Sequence, residues 1–342
     1  MNNMEKASGL KNQEKPRIIG GAEDAYQKVR KSWDKNKLGL VEKQLEKRIT
    51  VDVVDRQGRR LKIEGRFINP NPEGAKQKQT LAIIPGWGSD CDGVADFAKH
   101  IALNGERPVV TISMPGSGRS DNAPKEWLEE KNFDNEGFVA MQAIRQIKTA
   151  GGGSEDEEIA VLGHSMGGMI AAEVARQNPD LVKTLVLAHT AGVEKESEAG
   201  LIARFTANAA KESADYLKKW IESGFDEEWG RQVLKHFSVA KDIGKNVFTD
   251  RDRLMQHFIK KEVGVLARGG IKEILKEFRG NLITVSGTDE HLFSPDQTDD
   301  LKSAAVNALS SEAIISNLSK HSDVIARADQ EAILVAHKLD RL

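Results

Sequence analysis

Six short apolar runs recur along this chain: Thr80–Ile84, Val109–Ile112, Ile159–Leu162, Thr184–Ala188, Leu282–Val285 and Ala313–Ile315. A strand with one wet face alternates apolar and polar residues. Near-continuous runs of this length therefore belong to strands buried on both faces. Between them lie amphipathic segments long enough for crossover helices: Asp90–Asn104, Asn132–Ala150, Met166–Gln177, Pro295–Leu309 and Asp323–Leu339. The alternation predicts an α/β fold, a mostly parallel sheet with helices on both faces. Ahead of it, Ile49–Val54 and Leu61–Phe67 alternate around Asp55–Gly58 and predict a two-stranded hairpin.

One interval breaks the rhythm. From 191 to 279 there is no apolar strand pattern, and the texture is helical. Half of the chain's aromatic residues fall here, among them Phe205, Trp220 and Trp229. The reading is a helical cap inserted over the C-terminal edge of the sheet, where ligands of open α/β sheets bind. Its aromatics either form the cap's own core or line a substrate pocket. The expected organisation is an N-terminal disordered and helical arm over 1–47, a core of 48–190 and 280–342, and the cap. The arm either packs on the core or reaches a second subunit, as in a homodimer.

Composition narrows the function. With 50 basic and 52 acidic residues the formal net charge is −2, which gives no basic face for nucleic acid. No run approaches the ~20 apolar residues of a membrane span. Met1–Pro16 has no apolar run of the signal-peptide kind, and Cys91 is the sole cysteine, so no internal disulfide can form. A cytoplasmic protein acting on a small-molecule substrate is the expectation.

The chemistry centres on Gly163-His-Ser165-Met-Gly167. Gly-x-Ser-x-Gly alone is a weak signal. Here a buried strand pattern ends just before it and a helix pattern starts just after. A serine on such a turn is held in a strained conformation, and flanking glycines relieve the clash. A serine hydroxyl needs a base, and the base needs an orienting carboxylate. Strand Leu282–Val285 runs into Ser286-Gly-Thr-Asp289, so Asp289 is the expected acid, with Glu290 its rival. Strand Ala313–Ile315 leads to His321, the expected base. Two N–H donors are needed for the oxyanion. Met166, after the nucleophile, and Trp87, in Pro85-Gly-Trp-Gly88, are the candidates. His189 ends a strand near the site and could line the pocket. Cys91 reads as a buried, inert thiol. No grouping of His, Cys and carboxylates has metal-ligand spacing, so no metal and no cofactor are expected.

Pro85-Gly-Trp-Gly88, Met114-Pro-Gly-Ser-Gly-Arg-Ser120, Gly163–Gly168, Gly287-Thr-Asp289 and His321 stand in the order found in the α/β-hydrolase superfamily, which the chain resembles from about Arg48 to Leu342. The resemblance implies the fold, a Ser-His-Asp triad and a lid after the sixth strand. Two loops depart from it. Pro85-Gly86 stands where the family often has His-Gly, and Ser113-Met-Pro-Gly116 where it often has Asp-x-Pro-Gly. Epoxide hydrolases and haloalkane dehalogenases of this fold look to an Asp at the position of Ser165, so a serine implies an acyl-enzyme. Carboxylic ester hydrolysis is the leading expectation. A carbon–carbon bond hydrolase, an acyltransferase and a non-catalytic ligand-binding receptor of the fold are the alternatives.

Overall fold

The computed structural model describes residues 46–70, 78–155, 157–227, 229–230, 233–234, 236–237, 261–317, 319–326 and 328–342. All but the last two residues of the expected N-terminal arm lie outside them, as do Phe248, His257 and Phe258 of the expected cap.

Eight strands form one sheet: β1 (Glu46–Val54), β2 (Arg60–Ile68), β3 (Thr80–Ile84), β4 (Val109–Ile112), β5 (Ile159–His164), β6 (Val182–Ala188), β7 (Asn281–Gly287) and β8 (Ser310–Ser316). Their spatial order is β1-β2-β4-β3-β5-β6-β7-β8. β1 and β2 make the expected hairpin, with Asp55–Gly58 in its turn. β2 joins β4 antiparallel, and every pairing from β4 to β8 is parallel.

The unbroken apolar runs have a direct structural cause. Successive side chains of a strand point to opposite faces. Leu81, Ile83, Ala160, Leu162, Val186 and Ile283 enter one core cluster, while their neighbours Ala82, Ile84, Val161, Leu185, Leu187 and Leu282 enter the other. Helices α1 (Ala95–Gly105) and α9 (Ala328–Leu339) cover the first face; α2 (Asp134–Gly151) and α3 (Met166–Gln177) cover the second. Truncating any one of the central Leu or Ile residues to Ala should cost about 2–5 kcal/mol.

Among the described residues the remaining α-helices are α4 (Glu198–Glu222), α5 (Gly264–Arg268), α6 (Ile271–Leu275), α7 (Gln297–Ala304) and α8 (Asp323–Ala326). α4 begins at Ser197, whose Oγ accepts the Gly200 N–H at 3.0 Å. That bond satisfies one of the otherwise open donors of a helix start. Among the described residues, no helix is long and apolar enough to cross a membrane.

Candidate active site

Because β3 and β5–β8 run parallel, the loops after them open at one edge. Trp87 follows β3, Ser165 follows β5, His189 follows β6, Glu290 follows β7 and His321 follows β8. Topology alone thus gathers residues more than 200 positions apart in sequence.

Ser165 joins β5 to α3 at φ 54 and ψ −121, a region that non-glycine residues rarely enter. The turn closes so tightly that a Cβ on Gly163 would lie 2.2 Å from the Gly167 carbonyl oxygen, and one on Gly167 2.3 Å from that of Ile84. Side chains at either position would push the turn open. The loop after β3 presses on the same spot, since a Cβ on Gly86 would stand 3.0 Å from Cβ of Ser165. The backbone flanking Trp87 therefore runs beside the hydroxyl, and Met166 opens α3 on its other side.

Ser165 Oγ lies 3.1 Å from His321 Nε2. His321 Nδ1 lies 3.2 Å from Glu290 Oε2. The carboxylate facing the histidine thus belongs to Glu290 and not to Asp289. Asp289 is turned outward and a third exposed, with His291 Nε2 at 3.1 Å and Lys320 Nζ at 3.4 Å. The reason is the turn after β7. Glu290 N–H donates to the Gly287 carbonyl, so one further residue is needed before a side chain turns back into the core, and Glu is one methylene longer. Glu290 Oε1 receives the N–H groups of Leu292 and Phe293 at 2.7 and 3.2 Å, which fixes the rotation of the carboxylate.

Three more groups close the site. His164 Nε2 donates to the His321 carbonyl at 2.9 Å, and burial beside His321 and His189 holds its ring well below the ordinary histidine range. Glu212 of α4 accepts the His321 N–H at 3.1 Å. His189 is buried behind Glu290, with Nδ1 2.7 Å from Glu290 Oε2 and Nε2 2.8 Å from Glu331 Oε1; it does not line an open surface. Burial alone would raise the Glu290 carboxyl, but His321 and His189 together hold it well below the carboxylate range.

α4 grips the loop that carries His321. Besides Glu212, its Asp215 pairs with Lys320, and its Tyr216 hydroxyl donates to Asp323. These three residues share one helix face, as positions three and four apart do. Phe205, also on α4, sets its ring 6.4 Å from that of His321, 6.3 Å from Trp87 and 6.1 Å from Phe293. Trp220 and Trp229 pack instead with Tyr216 and Val233, in a cluster separate from both sheet cores. Cys91, within the β3–α1 connection, is buried, and burial pushes its thiol up to about 12.

His189, Glu290 and His321 each offer one donor atom, all within 4.8 Å of one another. Both Nδ1 atoms face Glu290 Oε2 at hydrogen-bond distance, so ring protons occupy the directions a cation would take. The donor set therefore fits a carboxylate–histidine network.

A family model described as the alpha/beta hydrolase fold matches residues 79–322. Over 147 residues the chain is 26% identical to the dihydrolipoyllysine-residue acetyltransferase component of the acetoin cleaving system of Pseudomonas putida, covering 43% of this chain and 36% of that one. It is 22% identical over 228 residues to a 1-acylglycerol-3-phosphate O-acyltransferase of Arabidopsis thaliana, covering 60% of this chain and 50% of that one. The chain thus spans a third to a half of these curated relatives. A thermophilic esterase from Thermogutta terrifontis superposes with a TM-score of 0.57 at 14% identity, covering 86% of this chain and 98% of the esterase.

Proposed function

This chain belongs to the α/β-hydrolase fold family, and from that premise we propose that it is a serine hydrolase cleaving a carboxylic ester or related acyl bond of a small molecule. One observation carries the reading: Ser165 Oγ, His321 Nε2 and Nδ1, and Glu290 Oε2 stand in line at 3.1 and 3.2 Å. The triad is then Ser165–His321–Glu290.

Each group has a defined task. Neutral His321 keeps its proton on Nδ1, directed at Glu290, and leaves Nε2 free to take the Ser165 proton. Ser165 Oγ attacks the acyl carbon, and the carbonyl oxygen becomes an oxyanion. The Met166 and Trp87 N–H groups are the proposed donors to it. His321, now imidazolium, gives its proton to the departing alkoxide, and the acyl group stays on Ser165. Water then attacks the acyl-enzyme, with Nε2 taking its proton and passing it to Ser165 Oγ as the carboxylic acid leaves.

α4 serves as the cap. Phe205 and Phe293 set their rings against His321, and Trp87 sets its ring against Phe205, an apolar surface that favours an apolar group on the substrate. The names of the curated relatives give a second reading, in which an alcohol and not water accepts the acyl group. The two differ only in what attacks the acyl-enzyme.

The test is a panel of nitrophenyl esters of increasing acyl length, run with wild type and Ser165→Ala, with and without an added alcohol. Hydrolysis that requires Ser165 supports the reading. A transferred ester as the main product favours the acyltransferase. Turnover retained in Ser165→Ala rules out both.

A further inference from the structure

The carboxylate that faces His321 has a second histidine on the same oxygen. Glu290 Oε2 accepts from His189 Nδ1 at 2.7 Å and from His321 Nδ1 at 3.2 Å, so the shorter contact is to the residue that touches neither nucleophile nor solvent. His189 Nε2 is in turn 2.8 Å from Glu331 Oε1. Glu331 sits on α9, is 1% exposed and also accepts the Ser319 hydroxyl, two residues before His321. A buried acid on the apolar face of a helix is costly unless it is paired, and nothing in the three-residue triad requires it.

The backbone at His189 supports a specific role. Its φ is 46, one of four positive values among described non-glycine residues, and Ser165 is another. Strain of this kind persists only where the surroundings demand it. Here it turns the ring away from the strand direction and between two carboxylates. Both ring nitrogens then face acceptors, the bonding pattern of an imidazolium. Burial would by itself depress this histidine, but Glu331 and Glu290 hold it well above its ordinary value. The groups facing it are Glu290 and His321 from the loops after β7 and β8, Glu331 from α9, and His164 from β5 with its ring 6.1 Å away. Glu212 of α4 reaches the backbone of His321.

We propose that His189 and Glu331 form a buried supporting pair that holds the Glu290 carboxylate against His321, with His189 as a positioning residue for the hydrolysis assigned above. The inference rests on the Ser165–His321–Glu290 reading. Without the pair, Glu290 loses its shorter bond, its cation and part of its aim. His321 then holds the reactive tautomer and orientation less often.

The test compares His189→Asn, which keeps a donor near the Nδ1 position but loses the charge and the link to Glu331, with Glu331→Gln, which keeps shape and loses charge. Rates are taken per active site, titrated with a fluorophosphonate. For His189→Asn, kcat should fall roughly ten- to hundredfold, the scale of one hydrogen bond to a charged group. KM should change less than about twofold, because His189 is buried away from substrate. The acid limb of kcat/KM should move to higher pH, since Glu290 protonates more readily without the cation. Glu331→Gln should shift both in the same direction. Should either variant fail to fold, wild type decides. Two-bond proton–nitrogen correlation spectra should show one histidine protonated on both nitrogens at about pH 8, where an ordinary imidazole is neutral. A per-site kcat and pH profile matching wild type, a change in KM alone, or no doubly protonated histidine overturns the inference. If wild type itself shows no Ser165-dependent turnover, the triad reading fails and takes the inference with it. Ser165-dependent turnover with unaffected variants sinks the inference alone.

Discussion

Adjacent carboxylates at Asp289 and Glu290 make a controlled pair of perturbations. Replace each with its amide. In Glu290→Gln, the Oε1 position still has to accept from Leu292 and Phe293 N–H at 2.7 and 3.2 Å, so the oxygen of the amide is drawn there. The NH2 group is then forced to the Oε2 position, where Nδ1 of His321 and of His189 both point. An NH2 group donates only, so His321 Nδ1 must become the acceptor and its proton moves to Nε2. That tautomer cannot take the proton of Ser165. Where this tautomer error has been introduced into serine proteases, it costs about 10⁴ in kcat, or roughly 5.4 kcal/mol at 1.36 kcal/mol per decade. The proposed support from His189 is disturbed as well, so a loss of at least about a thousandfold is expected. Asp289→Asn changes a side chain a third exposed to solvent and paired with His291 and Lys320. The buried Lys320 keeps its closer partner Asp215 when Asp289 loses its charge, and neither contact reaches His321 or Ser165, so kcat should stay within about fivefold of wild type. The assay is nitrophenyl ester hydrolysis per titrated active site. Comparable losses in the two variants, or a larger loss in Asp289→Asn, would refute the assignment of Glu290.

Other predictions follow from the placement of the aromatics and the charges. Phe205→Ala should lower the ratio of long-chain to acetyl ester turnover, because its ring stands against Trp87, Phe293 and His321. Trp220→Ala and Trp229→Ala should leave that ratio alone and reduce stability by about 1–3 kcal/mol in denaturant titrations, since both rings pack in the separate Tyr216 cluster. The folded-state depression of the Glu290 carboxyl contributes stability that is present above the unfolded value of about 4.3 and is lost as pH falls through the lower folded value. The stability gap between wild type and Glu290→Gln should therefore narrow as pH is taken below about 4; a gap that widens instead would mean that Glu290 is not ionised in the folded protein.

The sheet was readable because strands buried on both faces have an unmistakable texture. Thr80–Ile84 and Val109–Ile112 coincide with β3 and β4, and Met166–Gln177 coincides with α3. The placement of Ser165 and His321 at one edge follows from the strand order, because strand-to-loop junctions on a parallel sheet fall together there. The expected acid, Asp289, turns outward, and its neighbour Glu290 faces His321. A turn that adds a single residue reverses which of two neighbouring carboxylates points inward, and nothing local in Gly287-Thr-Asp-Glu290 encodes that. His189 was placed near the site, but its burial behind Glu290 depends on a positive φ, which no pattern of apolar residues reports. Glu331 did leave a trace. It lies on the stripe of Ala328, Ala332 and Val335, a buried carboxylate where a helix pattern calls for an apolar residue. Glu212 and Tyr216 left none, because their partners Lys320–Asp323 lie about a hundred positions away. Trp220 and Trp229 show the limit of an aromatic excess as a signal: it does not separate rings near His321, such as Phe205, from rings that pack in the Tyr216 cluster.

The most direct test of the central claim is where a fluorophosphonate ends up. Intact-mass and peptide mapping of the labelled protein should find one adduct, on the hydroxyl of Ser165, formed with simultaneous loss of ester hydrolysis. Ser165→Ala, with an unchanged circular dichroism spectrum, should take up none. An adduct that persists in Ser165→Ala, or hydrolysis that survives full labelling, would contradict Ser165 as the nucleophile.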